Sequence, residues 1–376
     1  MKITDFKIPV ALQIVVDDIG WFWGRDDREI GGPSRTGVAR THILEDYIVL
    51  NEIGRALNQK INAMLVIGEW DINNRLRKVP HCSNQGENWN GSFWLNKEEA
   101  EKIRNFLNTA EFIEIGFHGL LHSTYSKEGE LLCCQEFMVN KDFKKENERE
   151  LVPENITRAQ FDTFFEIYND WGFTQKIQTF ASPGNIGDAW KTDEFSNVIK
   201  DYGIKFWHNN VIRGCSVQSG IILNPKAIEI CPWFVYDFDP LEARDLKPEE
   251  AGIIGSHWAN YLRFNPKKSI EGVKDWKTFY DRQSEIFGMI ISRDIEFAHY
   301  QQLYKNYAVI SEENDCIKID LSEADKIAPE KNMPIYISLT NEPSECTGGK
   351  LSLYETKSGF KNYKVERTGD SIIYIK

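Results

Sequence analysis

Between Leu12 and Ala298 the chain repeats one pattern: a short apolar run, a turn, a longer amphipathic stretch, then another apolar run. The runs at residues 12–19, 63–68, 112–117, 177–181, 204–207, 227–230, 251–256 and 295–298 have the length of strands. Helical patterns separate them at about 40–60, 96–107, 157–171, 193–202 and 269–286, with Asn96 placed to cap the second. Parallel neighbours need a crossover of this kind, whereas antiparallel ones do not. About seven such units predict an α/β chain whose parallel strands form a (β/α) barrel, closed or nearly so, rather than an open sheet. From residue 306 the texture changes. Residues 317–321, 335–339, 350–354 and 372–375 alternate with period two and no helical pattern intervenes. The expected organisation is therefore a barrel over 1–305 and a small antiparallel, all-β module over 306–376, whose role is packing or substrate positioning.

Charge narrows the partners. A net charge of −12 argues against nucleic acid and anionic membranes, both of which need a basic surface. No apolar run is long enough to span a bilayer, and Asp5 interrupts the N-terminus before any signal-peptide core forms, so a cytoplasmic protein is expected. Seven cysteines without a Cys-x-x-Cys pair read as packing thiols.

The first run ends in Val15-Val16-Asp17-Asp18-Ile19-Gly20, a strand closed by two adjacent carboxylates. In α/β folds chemistry collects at this carboxyl edge of the sheet. Neighbouring carboxylates repel once they lose water, and a cation or a shared proton relieves them. The third run feeds directly into His118-Gly119-Leu120-Leu121-His122. On a helical turn that spacing points both imidazoles the same way. Two imidazoles and one carboxylate leave a coordination position open, as in a catalytic zinc site. The ends of strands one and three converge on one face of a parallel barrel, which brings the histidines to the carboxylates.

Taken together, these motifs resemble the polysaccharide deacetylases of the NodB-homology type, distorted (β/α) barrels that carry a divalent metal. Val15-Val16-Asp17-Asp18-Ile19 stands where that family reads Thr-Phe-Asp-Asp-Gly, and His118-Gly119-Leu120-Leu121-His122 where it reads His-Ser/Thr-x-x-His. Ala181-Ser182-Pro183-Gly184 takes the place of Arg-x-Pro-Tyr, and Ile254-Gly255-Ser256-His257 that of a late strand ending in histidine. The resemblance covers roughly residues 8–304 and leaves the β module outside. It implies Asp17 as general base, His257 as general acid, and Asp18, His118 and His122 as ligands of a divalent metal, Zn2+ first among the candidates. It further implies an oxyanion loop at Pro183 and Gly184. The implied activity is removal of an N-acyl group, acetyl or formyl, from an amino sugar. With a cytoplasmic location, the substrate expected is an intermediate of surface-polysaccharide biosynthesis. Four departures stand out: Ala181 for Arg, Gly184 for Tyr, Gly119 for Ser/Thr, and Ile19 displacing the motif glycine to Gly20. They leave a second reading open, a metal-bearing barrel that binds carbohydrate without hydrolysing it.

Other residues compete for roles. His208 and His299 also follow apolar runs and rival His257 as acid, while His42 and His81 read as ordinary surface or loop residues. Glu69 and Asp71, beyond the second strand, read equally as groups that reach a sugar hydroxyl or as a solvated loop, and Asp237 and Asp239 as acidic loop residues that could orient an acid histidine. Of eleven tryptophans, Trp21, Trp70 and Trp258 are the candidates to stack on a sugar ring, against the plainer alternative of core packing.

Overall fold

The computed structural model describes residues 2–23, 38, 40–140, 149–184, 193–208, 216–218, 221–223, 227–229, 235–245, 253–328 and 330–376. The parts of the predicted strands at 230 and 251–252 lie outside these residues. The N-terminal part runs β1 (Phe6–Lys7), β2 (Ala11–Leu12), β3 (Ile14–Ile19), α1 (Leu44–Leu57), β4 (Ile61–Leu65), α2 (Lys97–Thr109) and β5 (Ile113–Phe117). Two short antiparallel strand pairs, β6 (Thr124–Tyr125) with β7 (Leu131–Cys133) and β8 (Met138–Asn140) with β9 (Arg149–Leu151), lie in the polar, highly charged stretch at 127–154 and just before it. Then come α3 (Glu154–Asp170), β10 (Thr179–Ala181), α4 (Asp193–Asp201), β11 (Phe206–His208), β12 (Ser216–Gln218), β13 (Ile221–Leu223), β14 (Ala227–Glu229) and β15 (Ile253–His257).

Six of these strands, in the order β11-β10-β5-β4-β3-β15, run parallel and curl into half a barrel. β14 extends the parallel series past β15, β13 extends it past β11, and β12 adds an antiparallel edge. Among the described residues no pairing joins β12 to β14, and the near closure that the sequence predicts is not seen among them. One reason lies at residues 295–298. This apolar run is not a last strand but the first turn of α6 (Ile295–Tyr307), which follows α5 (Val273–Phe287) and the two-residue β16 (Ile290–Ile291). The Asp294 carboxylate accepts the Phe297 N–H at 2.8 Å and caps the helix. A four-residue apolar run fits either element by pattern, and the cap decides it.

The strands that carry the site are embedded in the core. β4 is buried along its whole length, and Phe117 of β5 stacks on Phe161 of α3 with ring centres 4.2 Å apart. α2 begins as the sequence predicts, with the Asn96 side chain accepting the Glu99 N–H.

The C-terminal module contains two antiparallel four-stranded sheets, but it is neither purely β nor purely C-terminal. One sheet is β17 (Val309–Glu313), β18 (Cys316–Asp320), β23 (Ile372–Ile375) and β20 (Cys346–Thr347) in spatial order, counting β19 (Ile335–Leu339), β21 (Gly349–Lys357) and β22 (Phe360–Arg367) along the chain. The other is β1-β19-β22-β21, so a strand from the N-terminus, Phe6 opposite Leu339, completes it. A helix, α7 (Ser322–Ile327), sits between β18 and β19. The module's core is shared with the half-barrel: Ile317, Ile337 and Ile373 pack in one cluster with Phe206, Tyr300 and Leu303. No helix among the described residues is long and apolar enough to cross a membrane.

Candidate metal centre

β3 and β4 pair Val16 with Ala63 and then Ile19 with Leu65, so β3 carries one extra residue, a bulge, at its aspartates. Adjacent strand residues normally point to opposite faces. The bulge, with Asp18 at φ +67°, suspends that alternation and lets both carboxylates interact with His118. Aspartate tolerates the left-handed region better than a β-branched residue, which is one reason the turn ends in Asp18.

The histidines arrive from β5, but not on a helical turn as the spacing suggests. Residues 118–122 form an irregular loop with Gly119 at φ +100° and His122 at φ +59°. The imidazole rings nevertheless lie 5.2 Å apart. His118 Nε2 and His122 Nε2 each stand 3.6 Å from Asp18 Oδ1. Bonds of ~2.0–2.1 Å at the tetrahedral angle place ligand atoms ~3.4 Å apart, so this set is close to what one small ion requires. One ligand atom from each residue lies within 4.8 Å of the others, and all three residues are buried.

The outer contacts suit a metal. His118 Nδ1 meets the Ala181 carbonyl at 2.9 Å and His122 Nδ1 the Cys134 carbonyl at 3.0 Å. A carbonyl only accepts, so each Nδ1 carries its proton and each Nε2 is turned toward Asp18. Asp18 Oδ1 and His118 Nε2 are buried and have no hydrogen-bond partner. A bound cation would satisfy both. The site therefore fits a divalent ion by donor type, spacing and unmet demand.

Glu136 holds the histidine loop. Its buried carboxylate accepts the N–H groups of Leu120 at 2.8 Å, Leu121 at 3.0 Å and His122 at 2.8 Å. Sequence patterns gave no sign of it, because it lies in a polar excursion and bonds only to backbone. Charge in the ion-free chain follows from proximity. Burial pushes the Asp18 carboxyl up, yet His122 and His118 outweigh burial and hold it well below the usual carboxylate range. Burial lowers His118, but Asp17 and Asp18 reverse this and push it up to about 9. The Asp17 carboxyl is raised, chiefly by burial, against the pull of His118 and His257.

Asp17 is partly exposed, while its Oδ1 is buried without a partner. His257 lies directly beside it, in register across the β15–β3 pairing. The end of β15 is fixed by Ser256 Oγ donating to the Val15 carbonyl at 3.1 Å and by the His257 N–H donating to Asn260 Oδ1 at 2.9 Å. Gly184, at φ +67°, and Ser182 line a small cleft together with Asp17, Val15, Ala181, Gly255 and His208. Pro183 lies on the other side of this loop, against Gly119 of the histidine loop.

Several sequence expectations are corrected. Trp21, Trp70 and Trp258 are each 0 % exposed, so they are core walls and offer no face to a sugar. Trp70 Nε1 donates to the Gly20 carbonyl at 2.8 Å, and Trp258 Nε1 donates to that of Asp46 at 3.1 Å while its ring stacks on His42. Apolar area drew them inward, and their position after strand ends did not signal exposure. His42 and His81 do lie in loops, but His42 is buried against Asp46 rather than on the surface, while half-buried His81 bonds the Tyr125 carbonyl through Nδ1. Glu69 and Asp71 are also buried. Glu69 accepts the N–H groups of Phe22 and Trp23, and Asp71 those of Arg75 and Leu76. Asp239 caps a short helical turn by accepting the Leu241 N–H, and Asp237 faces Arg263. His299, on α6, is buried in the core, stacking on Phe206 with ring centres 4.0 Å apart and on His208 at 5.1 Å, and it ends no strand of its own. Trp233 and the loop 24–37 lie outside the described residues.

Compared with family models, curated proteins and solved structures, the chain matches none.

Proposed function

We propose that this protein is a metal-dependent amide hydrolase that removes an N-acyl group, acetyl or formyl, from an amino sugar, with Zn2+ as the metal. The observation that carries the proposal is the buried Asp18-His118-His122 set with a second carboxylate, Asp17, and a histidine, His257, at the same sheet edge. A site that only holds an ion needs the first three residues. Asp17 and His257 add an acid–base pair, which binding alone does not require.

When bound, the ion supplies a water acidic enough to ionise near neutral pH and polarises the amide carbonyl. Asp17 takes the proton of the attacking water at its carboxylate. Burial already favours a proton there, which suits a base that must also release it. The backbone N–H of Gly184 is the donor we assign to the developing oxyanion. His257, in register with Asp17, delivers a proton from its imidazole to the departing nitrogen, which leaves poorly otherwise. The sugar is the part carried by the resemblance to the NodB-type deacetylases, as is its place in surface-polysaccharide biosynthesis.

The test is elemental analysis of wild type, Asp18→Asn, His122→Ala and Asp17→Asn, with amine release from a panel of N-acyl amino sugars. About one metal per chain is expected in wild type and Asp17→Asn, and little in the other two. Amine release is expected from wild type alone. Wild type that binds no metal after reconstitution would overturn the proposal. Full metal without release from any sugar would shift it to carbohydrate binding.

A further inference from the structure

His208 is a buried histidine whose tautomer is dictated by its neighbours. Asn62 Nδ2 donates to Thr179 Oγ1 at 3.1 Å and to the Glu114 carbonyl at 3.3 Å, which identifies the other amide atom as Oδ1. That oxygen lies 2.8 Å from His208 Nε2 and can only accept. The proton of a neutral imidazole is thereby fixed on Nε2, and Nδ1 is left as a lone pair. Burial lowers the His208 pKa to about 3, so the ring is neutral at any working pH. Nδ1 is buried and has no hydrogen-bond partner among the described residues. An acceptor withdrawn from water in this way calls for a donor.

The cleft beside the ring, with room for about one water-sized group, supplies the neighbours such a donor would meet. His208 lines it together with Asp17, Ser182 and Gly184. Asp17 contributes an acceptor oxygen, also unpartnered. Ser182 spends its hydroxyl proton on the Gly184 carbonyl at 2.7 Å, which leaves its oxygen as a further acceptor. Among the described residues the side-chain polar atoms of this cleft are thus acceptors, and the complementary ligand carries donors: a sugar hydroxyl, or the ammonium released when an amide is cleaved.

We propose that His208, locked as the Nε2–H tautomer by Asn62, is a specificity residue that accepts a hydrogen bond at Nδ1 from a hydroxyl or amino group of the bound sugar. This rests on the hydrolase proposal above and names how that site recognises its substrate. His208 is then not the general acid, since its proton is held by Asn62 and turned away from Nδ1.

The test uses 15N-histidine-labelled, zinc-loaded protein, with the His208 ring signals assigned by their loss in His208→Gln. The free protein should show an unprotonated Nδ1 and a protonated Nε2. Saturation with N-acetylglucosamine should move the Nδ1 resonance upfield if a hydroxyl is the donor. Movement with glucosamine alone identifies the amine. In kinetics, His208→Gln should keep its zinc and raise KM about tenfold with kcat nearly unchanged, the size of one neutral hydrogen bond. A proton on Nδ1, or an Nδ1 signal that neither sugar moves, would overturn the assignment. Zinc content and amine release of the same wild-type sample separate that outcome from failure of the hydrolase proposal, which would show as loss of both.

Discussion

Glu136 occupies the space that a side chain on Gly119 would need. A Cβ at Gly119 would come 2.4 Å from Glu136 Oε2, and the residue's φ of +100° already excludes most side chains. Glycine at this position is therefore what admits the brace. Where the NodB-type motif carries a hydroxyl beside its first histidine, this chain holds the loop by a carboxylate that gathers three N–H groups.

Removing the brace should loosen the metal without touching a ligand. Glu136→Ala leaves three buried N–H groups unmet and frees the His122 backbone. Zinc affinity should fall 10–100-fold, the range for outer partners of metal ligands, measured by competition with a chromophoric chelator. Gly119→Ser should do likewise through the clash with Glu136. An unchanged affinity in both variants would show that the loop holds its shape alone.

The contrast between what the sequence displays and what it hides follows from which groups do the work. Asp17, Asp18, His118 and His122 are visible because their chemistry is in their side chains and their spacing tracks strand ends. The carbonyls of Ala181 and Cys134, which orient the two imidazoles, have no side-chain signature at all. Ala181 even stands where the family motif has arginine, so the motif comparison registers a loss at a position that contributes its backbone. The bulge at Asp17-Asp18 is equally hidden, since it depends on pairing with β4. In the fold, the alternating runs show the parallel sheet. The run at 295–298 misleads because Asp294 caps it into a helix, and β1 escapes notice because its partner, β19, lies more than three hundred residues away.

Metal uptake should release protons. In the ion-free chain burial depresses His118, but Asp17 and Asp18 push it up to about 9, so it carries a proton on Nε2 at pH 7.5 that an ion must displace. At least one proton per zinc is expected there, read by calorimetry in buffers of different ionisation enthalpy. Affinity should rise with pH up to about 9 and then level off. The same raised pKa makes protonated His118 stabilise the ion-free fold fully below ~6.5, with that contribution lost as pH climbs through about 9. Zinc binding without proton release at pH 7.5 would contradict this charge state.

Glu69 predicts a separate pH dependence, away from the ligands. Burial raises its carboxyl to about 8, against the opposing pull of the Phe22 and Trp23 N–H groups. Between ~4.5 and 8 the native chain then holds a proton that the unfolded chain has lost, so folding stability declines as pH rises through that window. Glu69→Gln keeps an acceptor for both N–H groups and cannot ionise. Relative to wild type, its stability should improve from pH 5 to about pH 8, by at most about a tenfold change in the unfolding constant for each pH unit, and level off above. Urea unfolding of zinc-loaded proteins at several pH values measures the difference, and parallel curves would show that Glu69 is ionised throughout.

The C-terminal module should prove inseparable from the half-barrel. A boundary at residue 305 follows the change in sequence pattern, yet the buried cluster crosses it. Phe206, Leu303 and Tyr304 are each 0 % exposed and pack with Ile319, Ile337 and Val365. Truncation after 305 would uncover these side chains and leave β1 without β19, its edge partner. Each large apolar side chain returned to water costs ~1.5–3 kcal/mol, and several together exceed the margin by which a domain is stable. A chain of residues 1–305 should therefore aggregate or lack the near-ultraviolet dichroism of its buried tryptophans, even with zinc present. A soluble fragment with the native spectrum and one bound zinc would instead establish that the half-barrel folds alone and that the module was added to a finished metal centre.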